Sequence, residues 1–214
     1  WLSASYNNQQ PSSTYLNFGS LVGPISLDDP AYTEIFGKKD TNISAFNVGH
    51  SGSGSFTATG LPTGLSINSA TGIISGTTSV IGTQNVTITA TGTTAGGGTV
   101  TVSKIYVVSI TDPSSFPYRM DLTISASNIN SNLTDFPLLV SLSTSITGFS
   151  YNGFLDSDGD GVRTGGDLRF FAASGQELAY EIADWNTSGT SDIWVKVPTI
   201  SSSADTVITA AWGK

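Results

Sequence analysis

Gln84-Asn85-Val86-Thr87-Ile88-Thr89-Ala90-Thr91 alternates strictly: Val86, Ile88 and Ala90 share one parity, while Thr87 and Thr89 fall on the other. Successive side chains of a strand point to opposite faces, so this period of two describes a half-buried β-strand. The same reading extends to Thr99–Ile110. There Val100, Val102, Tyr106, Val108 and Ile110 keep one parity, interrupted by Lys104. Upstream the spacing predicts short strands over Tyr15–Phe18, Ile43–Val48, Ser55–Ala58, Leu65–Ile67 and Ile73–Ser75. Turn signals such as Ala70-Thr71-Gly72, Ser75-Gly76 and Gly96-Gly97-Gly98 punctuate them. Short, evenly spaced strands with this punctuation predict a β-sandwich.

Composition agrees along the whole chain. Only 11% of the 214 residues are charged, and Gly, Ser and Thr, abundant here, are poor helix formers. No window shows a sustained apolar repeat of helical period, so the expected class is all-β. The length exceeds the usual single domain, and two tandem sandwiches of about 100 residues are expected. Their boundaries fall at 1–12 (a polar linker or tail), 13–111 and 112–214. Asp112-Pro113-Ser114-Ser115-Phe116-Pro117 marks the division, because two prolines interrupt strand pairing. In the second part, strands are expected over Asp121–Ala126, Pro137–Leu142, Asp167–Phe171, Leu178–Ile182, Ile193–Val197 and Thr206–Trp212. The second sandwich is expected to be antiparallel and jelly-roll-like.

Charge is unevenly placed. Residues 1–111 hold four acids against three bases (−1), and residues 112–214 hold twelve against five (−7). No cluster of Lys and Arg offers phosphate neutralisation, which excludes a nucleic-acid footprint and disfavours an anionic membrane. No apolar run approaches the roughly 20 residues needed to span a bilayer. The absence of cysteine is silent on redox compartment. A start at Trp1 reads as an excerpt or a processed chain.

Two stretches resemble known families. Phe56-Thr-Ala-Thr-Gly-Leu-Pro-Thr-Gly-Leu-Ser-Ile67, Ala70-Thr-Gly-Ile-Ile-Ser-Gly-Thr77 and Val86-Thr-Ile-Thr-Ala-Thr91 resemble the immunoglobulin-like repeat of bacterial surface proteins, over about residues 15–111. Residues 116–214 resemble the domain of unknown function 2341. That likeness rests on Tyr118-Arg-Met-Asp-Leu-Thr-Ile124, Leu133-Thr-Asp-Phe-Pro-Leu-Leu-Val140, Gly166-Asp-Leu-Arg-Phe170, Glu177-Leu-Ala-Tyr-Glu-Ile182, Trp194-Val-Lys-Val-Pro198 and Ala211-Trp-Gly213. The resemblances imply an extracellular or cell-surface segment with a structural or adhesive role and no catalytic residues. Its expected partners are neighbouring domains or further copies of the same protein.

One motif carries chemistry. Asp156-Ser-Asp158-Gly-Asp160-Gly161-Val162-Arg-Thr164-Gly-Gly-Asp167 fits the twelve-position calcium loop. Asp156, Asp158 and Asp160 fill positions 1, 3 and 5. Gly161 turns the chain at 6, Val162 offers its carbonyl at 7, Thr164 stands at 9 and Asp167 closes at 12. Calcium takes six to eight oxygens, and alternate spacing in a wound loop lets three carboxylates converge. Without a cation they repel. The loop resembles those of dockerins and other extracellular calcium repeats, but its flanks, 149–155 and 168–171, read as strands rather than helices. The expected ion is a structural Ca²⁺ held at about 10⁻⁴ to 10⁻³ M or somewhat tighter.

Other candidates have plainer readings. His50 is the sole histidine, and no acid occurs between residues 41 and 111 to orient it. It reads as an exposed loop residue. Glu177 and Glu181, on one extended strand, would stand about 13 Å apart; a glycosidase pair stands roughly 5 to 9.5 Å apart. Trp185 and Trp194 could stack on pyranose rings, against the ordinary alternative of core packing. A carbohydrate-binding module is therefore one rival reading. A filament subunit, joined by strand addition of the tail Trp1–Thr14 to a neighbour's edge, is another.

Overall fold

The computed structural model describes residues 25–27, 33–94, 96–156, 161 and 163–214. The expected strand at Tyr15–Phe18, the tail Trp1–Thr14 and the loop residues Asp158, Asp160 and Val162 lie outside them. The described chain is all-β, with three 3-10 turns and no α-helix. Among the described residues no helix is long and apolar enough to cross a membrane.

The N-terminal half runs through β1 (Ser26–Leu27), β2 (Glu34–Lys38), β3 (Phe46–Asn47), β4 (His50–Ser51), β5 (Gly54–Thr59), β6 (Leu65–Ile67), β7 (Ile73–Gly76), β8 (Gly82–Thr93) and β9 (Thr99–Thr111). A four-stranded sheet in the order β2-β9-β8-β5 faces a three-stranded sheet, β3-β7-β6, and β1 pairs with β4. The pairing β8–β9 is antiparallel and long, with Val86 opposite Tyr106 and Ala90 opposite Val102. Both sheets contribute to one apolar core: Phe56, Val86, Ile88, Ala90, Tyr106 and Val108 from the first, Ile74 and Leu65 from the second. The Tyr106 hydroxyl, buried with the ring, donates to the Val48 carbonyl at 2.9 Å, so it is not left unsatisfied. Burying a side chain the size of Ile or Phe stabilises by about 1.5–3 kcal/mol. The alternation at 84–91 places Val86, Ile88 and Ala90 in this core, as read from the sequence.

On β8 and β9 the opposite parity forms a hydroxyl-rich outer face, with Glu34 and Lys38 of β2 at its edge. Thr89 and Ser103 share a hydrogen bond of 2.9 Å across the strands, as do Thr83 and Ser109 at 3.2 Å. Cross-strand hydroxyl pairs of this kind contribute a few tenths of a kcal/mol each, roughly. Two glycines enable the tight corner before β6. Gly64 (φ 96°) and Gly76 (φ 126°) lie backbone to backbone, and a Cβ on Gly64 would come within 2.0 Å of the Thr77 carbonyl.

The C-terminal half runs through β10 (Tyr118–Ile124), β11 (Leu133–Ser143), β12 (Arg169–Ala172), β13 (Glu177–Leu178), β14 (Tyr180–Asp184), β15 (Thr190–Ile200) and β16 (Thr206–Trp212). Two antiparallel sheets form, β10-β16-β12-β13 and β11-β15-β14. They enclose a second core containing Leu142, Leu168, Phe170, Ile193, Val195 and Trp212. The Trp212 indole lies between Tyr118 (5.9 Å, 11°) and Phe154 (5.3 Å, 12°). Phe149 meets it edge-on at 5.4 Å.

Several local expectations are corrected. Residues 34–38 form β2, the one parallel pairing among the described residues, against β9; its burial alternates Ile35-in, Phe36-out, Gly37-in, a pattern that Gly37 hides in the sequence. Ile43–Val48 is largely irregular, with only Phe46–Asn47 in a strand. The segment 149–155 is not a strand: Tyr151–Gly153 winds into a 3-10 turn capped by Ser150, whose hydroxyl accepts from the Asn152 amide. Leu178–Ile182 breaks at Ala179 into β13 and β14, which belong to different sheets. Glu177 and Glu181 therefore do not share a strand.

Candidate functional site

The calcium-type loop leaves the core at Phe154 and returns at Leu168, both buried. Of its predicted ligands the described residues include Asp156, Thr164 and Asp167. The Gly161 amide donates to Asp156 Oδ2 at 2.9 Å. At the other end, Asp167 Oδ2 accepts from two backbone amides, Leu155 at 3.2 Å and Gly213 at 2.6 Å. The carboxylate thereby ties the loop's outgoing chain to the end of β16. Its second oxygen, Oδ1, is buried and has no hydrogen-bond partner. A lone carboxylate oxygen shut from water is costly unless a cation or donor reaches it. Beside it lies a cavity of about 220 Å³ lined by Leu155, Thr164, Gly166 and Asp167. Among the described residues no three His, Cys, Asp or Glu side chains gather into one cluster.

The base of the loop is held by the protein itself. Arg163 Nε donates to the Phe154 carbonyl at 2.9 Å, and Trp185 Nε1 donates to the Arg163 carbonyl at 2.5 Å. Trp185 stands edge-on to Tyr151 (5.4 Å) and Phe154 (5.0 Å) and presses on the Gly165 backbone, where a Cβ would lie 2.6 Å from the ring. It is half-buried and braces the loop from inside.

Trp194 lies elsewhere. Its neighbours in β15, Ile193 and Val195, point into the core, and Trp194 is 44% exposed on the outer face of its sheet. In register it stands between Leu139 of β11 and Glu181 of β14. The two tryptophans singled out from the sequence therefore do not form a common platform, because one serves the loop and the other faces solvent.

His50 is not an exposed loop residue. It sits in β4 with its ring 4.6 Å from Phe56, and its buried Nδ1 has no partner. Arg169 pairs with Glu177 at 3.4 Å, and the break at Ala179 carries Glu181 onto the other sheet. Lys104 stands opposite Ile88 in β8, with its ammonium 5.9 Å from the Tyr106 ring centroid. Two features escaped the sequence reading: the double amide anchor at Asp167 and the role of Trp185. Neither has a local signal, because Gly213 lies 46 residues from Asp167 and Arg163 lies 22 from Trp185.

Comparison with known proteins sorts the two halves. Residues 30–111 match the family described as "Putative Ig domain". Residues 164–214 match the domain of unknown function DUF2341. Two families match, in tandem. The order is the one read from the sequence. The stretch 118–140, where the second resemblance was also read, lies ahead of the matched segment, but its strands β10 and β11 pair with β16 and β15 inside it. No curated protein matches the chain. Among solved structures, one described as a putative alpha-galactosidase from Bacteroides fragilis NCTC 9343 is similar at 28% identity and a TM-score of 0.35. The likeness covers 45% of this chain, which spans about a fifth of that one (19%). An immunoglobulin-like stretch of this kind is typical of surface-protein segments.

Proposed function

We propose that this chain is a non-enzymatic, structural or adhesive segment of a larger extracellular surface protein, stabilised by one calcium ion. It is organised as two domains, 13–111 and 112–214, with the ion held in the second. Asp156, Asp158, Asp160 and Asp167 supply carboxylates, Thr164 a hydroxyl or water-bridged contact, and Val162 its carbonyl. The observation that carries this reading is the division of labour within Asp167. One of its oxygens organises two backbone amides, and the other is buried without a partner. A cation in the loop would satisfy that oxygen and relieve the repulsion among the neighbouring carboxylates. The matched immunoglobulin-like stretch and the two filled apolar cores support the structural role. Its partners are neighbouring domains or copies of the same protein.

The test is calorimetric. Calcium added to chelator-treated protein should bind in a single event that is lost in the double variant Asp156→Asn, Asp160→Asn. An ion in hundredfold excess over its dissociation constant stabilises by about 2.7 kcal/mol. Absence of heat and of any stabilisation would refute the ionic part.

A second reading rests on Trp194. An exposed indole flanked by Leu139 and the Glu181 carboxylate offers an apolar ring face beside a hydroxyl acceptor, which suits a pyranose. Glycan-array binding that disappears in Trp194→Ala and persists in Trp185→Phe would favour it. Strand addition finds less support at β11. This edge carries Pro137 and a left-handed Asp135 (φ 50°), both of which discourage pairing with a further strand.

A further inference from the structure

Adjacent domains on one chain ordinarily move against each other unless something holds them. Here the connection between β9 and β10 is short, and it is held from several directions. Pro113–Ser115 forms a 3-10 turn with Pro113 buried. Arg119, the second residue of β10, reaches back over it. Its Nη1 donates to the carbonyls of Ser114 (2.5 Å), Phe116 (3.2 Å) and Pro113 (3.5 Å). Three carbonyls converging on one guanidinium fix the path of the connection, because the group is planar and always charged. From the other side, Lys214 Nζ donates to Ser115 Oγ at 2.6 Å and lies over the Phe116 ring. Phe116 in turn meets Phe171 of β12 edge-on at 5.9 Å.

The connection alone would still permit rotation about its ends. A second attachment, far away in sequence, removes that freedom. The turn between β12 and β13 rests on the end of the first sheet. Thr111 Oγ1 donates to the Gly175 carbonyl at 2.7 Å. Gly175 is buried with φ 95°, and a Cβ there would lie 2.5 Å from the Gly37 carbonyl of β2. This close backbone approach admits only glycine. Lys39, just after β2, places its ammonium 4.0 Å from Asp112 at the start of the connection.

We infer that this junction is a locked corner, in which the covalent turn 112–117 and the Gly175 contact together hold the two halves as one rigid body. The Lys39–Asp112 contact fixes the start of the connection to the first half, Phe116–Phe171 fixes its end to the second, and the Gly175 contact joins the two halves directly. The consequence is a fixed angle between the hydroxyl-rich face of the first half and the Trp194 face of the second. A spacer built this way transmits orientation as well as distance. The inference rests on the two-domain reading above, whose calcium test uses a separate readout.

The chain has no cysteine, so a dye pair can be placed at will. Thr99→Cys and Ala204→Cys label exposed positions at the two ends away from the junction. Single-molecule energy transfer should give one narrow population in the otherwise unsubstituted chain. Gly175→Ala should broaden and shift it by steric conflict with Gly37, and Arg119→Met should broaden it by freeing the turn. Far-ultraviolet circular dichroism on the same samples establishes that both remain folded. A population already broad without these changes would overturn the inference. So would a population left unchanged by both of them.

Discussion

The first core is mostly aliphatic and is built around two long alternating strands, β8 and β9, whereas the second gathers aromatics from a loop as well as from strands. Among the described residues of the N-terminal half, only Phe56 and Tyr106 are aromatic in the buried core. In the C-terminal half Phe149, Tyr151 and Phe154, all from one non-strand excursion, share the core with Phe170 and Trp212. The difference teaches where sheet packing suffices and where it needs help. Twelve- and thirteen-residue strands bring their own hydrophobic face into register. The second half must instead return a long loop to its core, and it uses hydrogen-bonded anchors to do so: Arg163, Trp185 and Asp167.

That contrast can be broken by substitution. Trp212→Ala should have the largest effect, about 3–5 kcal/mol. It removes a ring that Tyr118, Phe149 and Phe154 all contact. Chemical denaturation should show the C-terminal transition collapsing. Ile88→Ala in the first core should cost about 2–5 kcal/mol and act on the N-terminal transition instead. Equal effects of each substitution on both transitions would mean that the two cores are energetically one.

Asp167→Ala should come next, at roughly 1–3 kcal/mol, because it strands the Leu155 and Gly213 amides. The loss should appear as faster hydrogen exchange at those two amides. Were both amides as protected as before, the carboxylate would not be the anchor.

The smallest effect concerns acid. The Ser114 hydroxyl holds the Asp112 carboxyl below the usual carboxylate range, against an opposing push from burial, with the charges of Lys39 and Lys214 assisting. The folded form therefore takes up this proton at lower pH than the unfolded chain. Its contribution is complete above the ordinary carboxylate pKa of about 4 and fades as pH falls through the lower folded value. Energy transfer across the junction should accordingly stay narrow at neutral pH and broaden only in acid. Broadening that begins well above pH 4 would contradict this assignment.

Legibility followed the same division. The all-β class, the tandem order and Leu65–Ile67 and Thr206–Trp212 as strands could be read from alternation and turn residues alone. β2 could not, because glycine stands at one of its buried positions and the strand is only five residues long. The excursion at 149–154 was misread as extended, since its apolar residues suit a strand but the Ser150 cap and Gly153 wind it into a turn. For the candidate site, the Asp-x-Asp-x-Asp-Gly spacing of 156–161 is a local pattern and so was visible at once. The pairing of Asp167 with Gly213 and the bracing by Trp185 depend on how β16 and the segment after β14 return to the loop. No periodicity encodes such long-range returns.

The central claim is that a cation completes the 156–167 loop and through Asp167 secures the second core. Thermal unfolding with millimolar calcium and with chelator, followed by tryptophan fluorescence, tests it most directly. Trp212 lies inside the second core and Trp185 braces the loop, so both report on this half. Calcium should raise the melting temperature of this C-terminal transition by several degrees, roughly 4–8 °C per kcal/mol for a unit of this size, while calorimetry on the same samples should show the N-terminal transition where it was. Superimposable curves in calcium and chelator would contradict the account.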